Sequence, residues 1–286
     1  MRARTIRQHY VPEFYLRNFS NMSKGIRAQA IDGREQKTVS ISSIAQEKKY
    51  YDVEFFSRNL TDMGENVFAE EEDYVFKDKD MLVLSLEKWF KLNEDRVAPI
   101  IDRIIKYPFY NPLKNEDAKK DLALFISMLL VRGPNSKKVF EKEIEIDSLK
   151  RSLDKYFKDT IGDEMEKKLL WMHTFSHCVS SFAEKLYFCK DWSLVYVASD
   201  VSFITTDNPL LLHLPKPFSC CISNIGIMTP MVQILLPLGR KCLLQINDSQ
   251  YEYYGHNVPD KYIISKSRVL ELNELQRKQA ICWIFP

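Results

Sequence analysis

The chain has 286 residues, of which 45% are hydrophobic and 28% charged, with a formal net charge of +2. That length supports a sizeable core, and eight glycines with no low-complexity run argue against a disordered chain. No apolar run reaches the roughly 20 residues a membrane span needs, and the small net charge neither demands nor excludes nucleic acid, because a local basic patch can bind phosphates.

Met1-Arg2-Ala3-Arg4 stays polar where the apolar run of a signal peptide would begin. Residues 7–19 then carry an imidazole, two amides, a carboxylate, two guanidinium groups and four aromatic rings. Pro12 fits the first position of a short helix ending near Ser20. Phe14, Tyr15, Leu16 and Phe19 fill one side of it, as a core anchor under the C-terminal sheet. His9 precedes it. Residues 26–31 and 37–40 read as a hairpin turned at Asp32-Gly33. A helical turn over 41–46 and a strand over 49–52 follow. The acidic stretch 61–80 reads as a solvated loop or helix face.

A long helix is predicted over 81–105, kinked or broken at Pro99. Its apolar arc holds Leu86, Phe90, Val97, Ile101 and Ile104, with Glu87 and Glu94 at the arc's edge. Inward carboxylates are costly unless paired or hydrated; the alternative is edge glutamates reaching solvent or forming salt bridges. Residues 107–112 form a loop, and Asn115 or Asp117 caps a helix running to Arg132. Arg132 shares a side with Phe125 and Met128, so it faces inward; a contact with the helix's C-terminal dipole would explain it equally.

The alternating charges of 137–158 suit an exposed helix. A further helix over 163–190 has Trp171, Phe175, Cys178, Phe182 and Leu186 as its apolar stripe. His173 and His177 share its opposite face, beside Glu166 and Glu184, and lack the glutamate of a zinc-protease helix. They read as surface histidines. From Trp192 onward strands dominate: 192–197, 201–206, a resumption at 210–214, then 232–237 and 242–246 joined at Gly239, a helix over 267–279 and a last strand over 280–285. Six cysteines at irregular spacing, none in a Cys-x-x-Cys pair, imply free thiols in a reducing cytoplasm.

The pattern predicts an α+β fold. A short N-terminal helix and hairpin (1–60) and a C-terminal, mostly antiparallel sheet (191–286) flank a central helical bundle (81–190), with 1–286 as a single domain. Asp207-Asn208 ends an apolar strand abruptly, where side chains are often held at the edge of a site; the alternative is an Asx turn set by Pro209.

His9-Tyr10-Val11-Pro12 with Phe14-Tyr15-Leu16 and Phe19 resembles the opening signature of the domain of unknown function 4238 family. Ile204-Thr205-Thr206-Asp207-Asn208-Pro209 resembles its later signature. Leu86-Glu87 with Glu94, Phe125-Ile126 with Arg132, Leu236-Pro237-Leu238 and Leu272-Asn273 resemble its intervening and closing elements, in order along nearly the whole chain. Gly239-Arg240 departs from the pattern, where a second proline would be expected soon after Leu238. The resemblance implies that His9, Glu87, Glu94, Arg132, Asp207, Asn208 and Asn273 form one constellation. Gln8 and Arg17 join it as binding candidates.

By residue type, a histidine serves as general acid or base, carboxylates hold Mg²⁺ or Mn²⁺, and an arginine stabilises a phosphate. Together these suit metal- or histidine-assisted phosphodiester cleavage by a cytoplasmic enzyme acting on nucleic acid or a nucleotide, as in a bacterial defence or toxin effector. The alternative is a non-catalytic binding module with a polar pocket for a small anionic ligand or a partner protein. A third reading is a scaffold that engages a protein partner or a second copy through 137–158.

Overall fold

The last strand of the chain pairs with the N-terminal hairpin, so the two halves of the sequence share one sheet. The structure, a computed structural model, describes residues 7–22, 24–33, 35–56, 75–78, 81–134, 136, 163–216, 225–248 and 259–286. The stretch 137–158, Cys220-Cys221 and most of 61–80 lie outside these residues, as do the side chains of Glu166 and His173.

Strand β1 (Arg7–His9) pairs antiparallel with the later strand β4 (Gln46–Lys48), which sets His9 opposite Gln46. His9 therefore ends a strand, and only 41–43 of the expected helical turn is helical, as one 3-10 turn. Helix α1 (Glu13–Arg17) starts one residue later than predicted, because Pro12 is its extended N-cap, and it is shorter. Tyr15 and Leu16 are buried, and the Tyr15 hydroxyl donates to the Pro237 carbonyl at 2.6 Å. The chain start is thus fastened to the C-terminal sheet.

Strands β2 (Gly25–Ala30) and β3 (Gln36–Ser40) form the expected hairpin, with Gly33 at φ 71° in its turn. Here a side chain would meet backbone strain that glycine avoids. Lys49 turns the chain at φ 51°, so the predicted strand over 49–52 starts instead at Asp52, in β5 (Asp52–Phe56). β6 (Val75–Asp78) and β7 (Met81–Ser85) complete a small sheet of order β5-β7-β6. Residues 81–85 are therefore a strand and not the start of a helix. A short, continuously apolar run has no periodicity to separate the two.

Helix α2 (Glu87–Lys106) buries Phe90, Val97, Ile101 and Ile104 and continues through Pro99. Pro99 lies on its exposed side, where the carbonyl it leaves unbonded can reach water. Helix α3 (Glu116–Arg132) is capped by Asn115, whose Oδ1 accepts from the Ala118 N–H at 2.9 Å. It packs between α2 and α4 (Asp163–Phe188).

The remaining strands are β8 (Lys190–Val197), β9 (Thr205–Thr206), β10 (Leu211–His213), β11 (Gln233–Gly239), β12 (Cys242–Asp248), β13 (Lys261–Ile264) and β14 (Trp283–Phe285). β9 is shorter than the predicted 201–206, because the Phe203 N–H donates to the Arg240 carbonyl and the Ile204 N–H to the Asn273 side chain. Five of the strands form a sheet of order β10-β11-β12-β8-β13, antiparallel except for β13 on β8. One face supplies Leu194, Ile234, Leu236, Leu244 and Ile246 to the core that also holds Tyr15, Ile101, Leu122 and Phe125. The other face, with Val195, Leu235 and Leu243, is covered by Val269 and Leu272 of helix α5 (Lys266–Gln279). Strand β14 lies between β2 and β9 and so joins the N-terminal hairpin to the Asp207 region. The fold is α+β with a mostly antiparallel C-terminal sheet. No described helix is long and apolar enough to cross a membrane, and Cys178, Cys189 and Cys242 form no disulfide among the described residues.

Candidate functional site

The site is built where β1 and α1 run beside α2. His9 donates a hydrogen bond to the Ile41 carbonyl, while its Nε2 has no hydrogen-bond partner. The proton therefore sits on Nδ1 and the Nε2 lone pair is unused. Burial lowers the pKa of His9, against the raising pull of the Glu13 carboxylate, whose Oε1 is 3.8 Å from Nε2. Glu13 in turn pairs with Arg17 at 3.0 Å.

Glu87 and Glu94 lie two turns apart on α2 and so share a stripe. The Glu94 carboxylate accepts from Arg132 Nη1 at 2.8 Å. Arg132, at the end of α3, is only 1% exposed; its guanidinium carbon lies 5.4 Å from the centre of the Phe90 ring, and its Nε and Nη2 have no partner. Burial, reinforced by the nearby Glu94, pushes the Glu87 carboxyl up to about 7, against the opposing pull of Arg132.

All of these groups except Arg132 line a cleft of about 320 Å³. Its walls are His9, Glu13, Phe14 and Arg17 on one side, and Glu87, Phe90, Lys91, Glu94, Asp95 and Ala98 of α2 on the other. Glu13, Lys91 and Asp95 were not singled out from the sequence. Their one local signal is spacing: Glu13 is four residues from His9, and Lys91 and Asp95 follow Glu87 at helical intervals.

The other candidates lie elsewhere. Asp207 is 1% exposed and accepts from the backbone N–H groups of Ile281, Cys282 and Trp283 at 2.9, 2.8 and 3.1 Å. Burial nevertheless raises its pKa, against the pull of these donors. Asn208 exchanges hydrogen bonds with Gln279, and Asn273 bridges Ile204 and Ser202. None of the three lines the cleft; they fasten β9, α5 and β14 to one another. Asp207 is close enough to Tyr10, next to His9, that the Tyr10 hydroxyl is pushed well up by burial and then by the Asp207 charge. Gln8 is buried, donating to Asp52 and accepting from the Tyr51 N–H, both at 2.6 Å. It joins β1 to β5. Arg17 stands at the rim, 59% exposed. His177 is exposed, and among the described residues no group of three or more His, Cys, Asp or Glu is placed to hold a metal ion.

The family described as "Protein of unknown function (DUF4238)" matches residues 7–286. No curated protein and no solved structure matches the chain.

Proposed function

We propose, for a chain that belongs to the DUF4238 family, that the cleft is the active site of a hydrolase that cleaves phosphodiester bonds by histidine-assisted acid–base chemistry. The observation that carries this reading is one pair: an unpartnered Nε2 on His9 and a Glu87 carboxyl raised to about 7 line the same cleft. Two groups whose environments separate their protonation states are the signature of an acid and a base. His9 takes the proton of the nucleophile, and Glu87 gives its proton to the leaving oxygen. Lys91 and Arg17, the latter shared with Glu13, are the lining cations for a phosphate. Arg132 holds Glu94 in place.

The divalent-metal alternative would place Mg²⁺ or Mn²⁺ on Glu87 and Glu94, with waters and substrate oxygens completing the shell. Arg132 Nη1 already takes one oxygen of the Glu94 carboxylate. The geometry therefore favours the histidine-assisted arm.

Such an enzyme would act in the cytoplasm on nucleic acid or a nucleotide, and its biology would be that of a bacterial defence or toxin effector. The test is cleavage of labelled oligonucleotides by the wild-type protein, His9→Asn and Glu87→Gln, with and without EDTA. Asparagine keeps a donor near the Nδ1 position and lacks the Nε2 base. Cleavage that resists EDTA and disappears in both variants supports the reading; equal rates in all three proteins overturn it.

A second reading has one observation in its favour. Arg132 is buried in an ion pair and packed on Phe90, as in a network that fixes a fold. On that view the cleft is a non-catalytic pocket for a small anion or a partner protein. Its variants would then lose ligand binding or melting temperature, and no turnover would be measured.

A further inference from the structure

The nucleophile is the part of this site the protein does not supply in any obvious way. A free water needs strong activation, which enzymes commonly provide with a metal ion or a charged base. Here the base is a neutral, part-buried imidazole that lines the cleft, with its pKa lowered by desolvation. Of the two glutamates on the α2 stripe, Glu94 is tied to Arg132. A weak base suffices when the nucleophile is already held beside the phosphorus, because a tethered group reacts with an effective molarity of about 10⁵–10⁸ M. Among phosphodiesters, the ribonucleotide carries such a group on the neighbouring carbon.

The charges of the cleft narrow the substrate further. Its lining cations are Lys91 and Arg17, the latter already paired with Glu13, and of its remaining acids Glu94 is paired with the buried Arg132, leaving Glu87 and Asp95. That balance suits one or two phosphates and not a long polyanion track. The volume of about 320 Å³ sits at the small end of ligand sites, which run from about 300 to 1,000 Å³. Phe14, part-buried at the wall, gives the cleft an aromatic surface, and exposed bases stack on such rings.

Resting on the phosphodiesterase reading, we infer that the cleft cleaves a ribonucleotide 3′,5′-phosphodiester through attack by its own 2′-hydroxyl. His9 Nε2 takes the 2′-hydroxyl proton as the 2′-oxygen bonds to phosphorus. The bond from phosphorus to the 5′-oxygen breaks, and that oxygen takes the proton of the Glu87 carboxyl. The products are a 2′,3′-cyclic phosphate and a 5′-hydroxyl, and water returns the proton from His9 to Glu87. No oxidant, reductant or co-reactant is consumed.

The experiment uses the full chain in EDTA with three single-stranded substrates: a DNA oligonucleotide carrying one ribonucleotide, the same oligonucleotide with that position 2′-O-methylated, and all DNA. A ribodinucleotide forms a fourth arm, which separates a small-nucleotide substrate from a strand. Products are identified by mass. The expected result is cleavage only after the free ribonucleotide, with 2′,3′-cyclic phosphate and 5′-hydroxyl ends and at least a 100-fold loss on 2′-O-methylation. Cleavage of the ribodinucleotide alone supports the same chemistry on a small substrate. The logarithm of affinity should fall against that of salt with a slope no steeper than about −1.4, as for two contacts on a single strand. Equal cleavage of DNA, or ends bearing 5′-phosphate, overturns the 2′-hydroxyl inference while leaving a phosphodiesterase. Cleavage of none of the four overturns both.

Discussion

Asp207→Ala separates a fold staple from a site residue. The carboxylate receives three backbone N–H groups from residues 74–76 positions further on and so holds β14 beside β9. A hydrogen bond to a charged group contributes about 1.5–3 kcal/mol. The three donors are only part-buried, so water can replace some of that, and the burial that raises the carboxyl's pKa offsets more. A net loss of about 3 kcal/mol is expected after these discounts. For a chain of this size that is a fall of about 6–10 °C in melting temperature. Asp207→Asn should fall nearly as far, because its amide turns one acceptor into a donor facing an N–H. Thermal melts followed by circular dichroism read both. A melting temperature within about 2 °C of wild type would refute the staple. So would a folded variant with normal melting that has lost cleavage, since Asp207 would then belong to the site.

Three further outcomes follow from the same geometry. Glu94→Gln leaves Arg132 buried without its charge partner and should cost about 3 kcal/mol in a urea titration; an unchanged midpoint would show that the pair does not hold the α2–α3 contact. The pH–rate profile should be a bell. Its acid limb rises as His9 loses its proton, below the ordinary 6.5, with Glu13, Arg132 and Glu94 around it. Its alkaline limb falls through about 7 as Glu87 loses its own, with Glu94, Arg132, Asp52 and Lys91 around it. Glu87→Gln should abolish the alkaline limb, and a limb that persists would assign it to another group. Gly239→Ala should cost about 1–2 kcal/mol, because a Cβ there would come within 3.1 Å of Ile105 Cδ1; thermal melts check it.

The helical middle was legible because burial repeats with the turn of a helix. Phe90, Val97, Ile101 and Ile104 fall on one face, and the same periodicity placed Glu87 and Glu94 at the edge of that face and Arg132 on the side of Phe125 and Met128. What local pattern cannot carry is pairing across the chain. The seating of β14 between β2 and β9, and the three donors that Asp207 meets, join residues far apart in sequence. The family signature groups Asp207 with His9, yet that grouping does not say which residues share a cleft. Glu13, Lys91 and Asp95 escaped for the opposite reason: charged residues on a helix rim read as ordinary surface until another element faces them. Residues 81–85 misled because an apolar run abutting a helix reads as its first turn.

The central claim is that His9 and Glu87 form an acid–base pair acting in one cleft. Its most direct test is the single-turnover cleavage rate of a ribonucleotide-containing strand by wild type, His9→Asn and Glu87→Gln at pH 6.5, with melting temperatures measured alongside. The account predicts a loss of about 10²–10⁴-fold in each variant, with melting temperatures close to wild type. Rates that match wild type in both variants, or that fall only in step with melting, would contradict it.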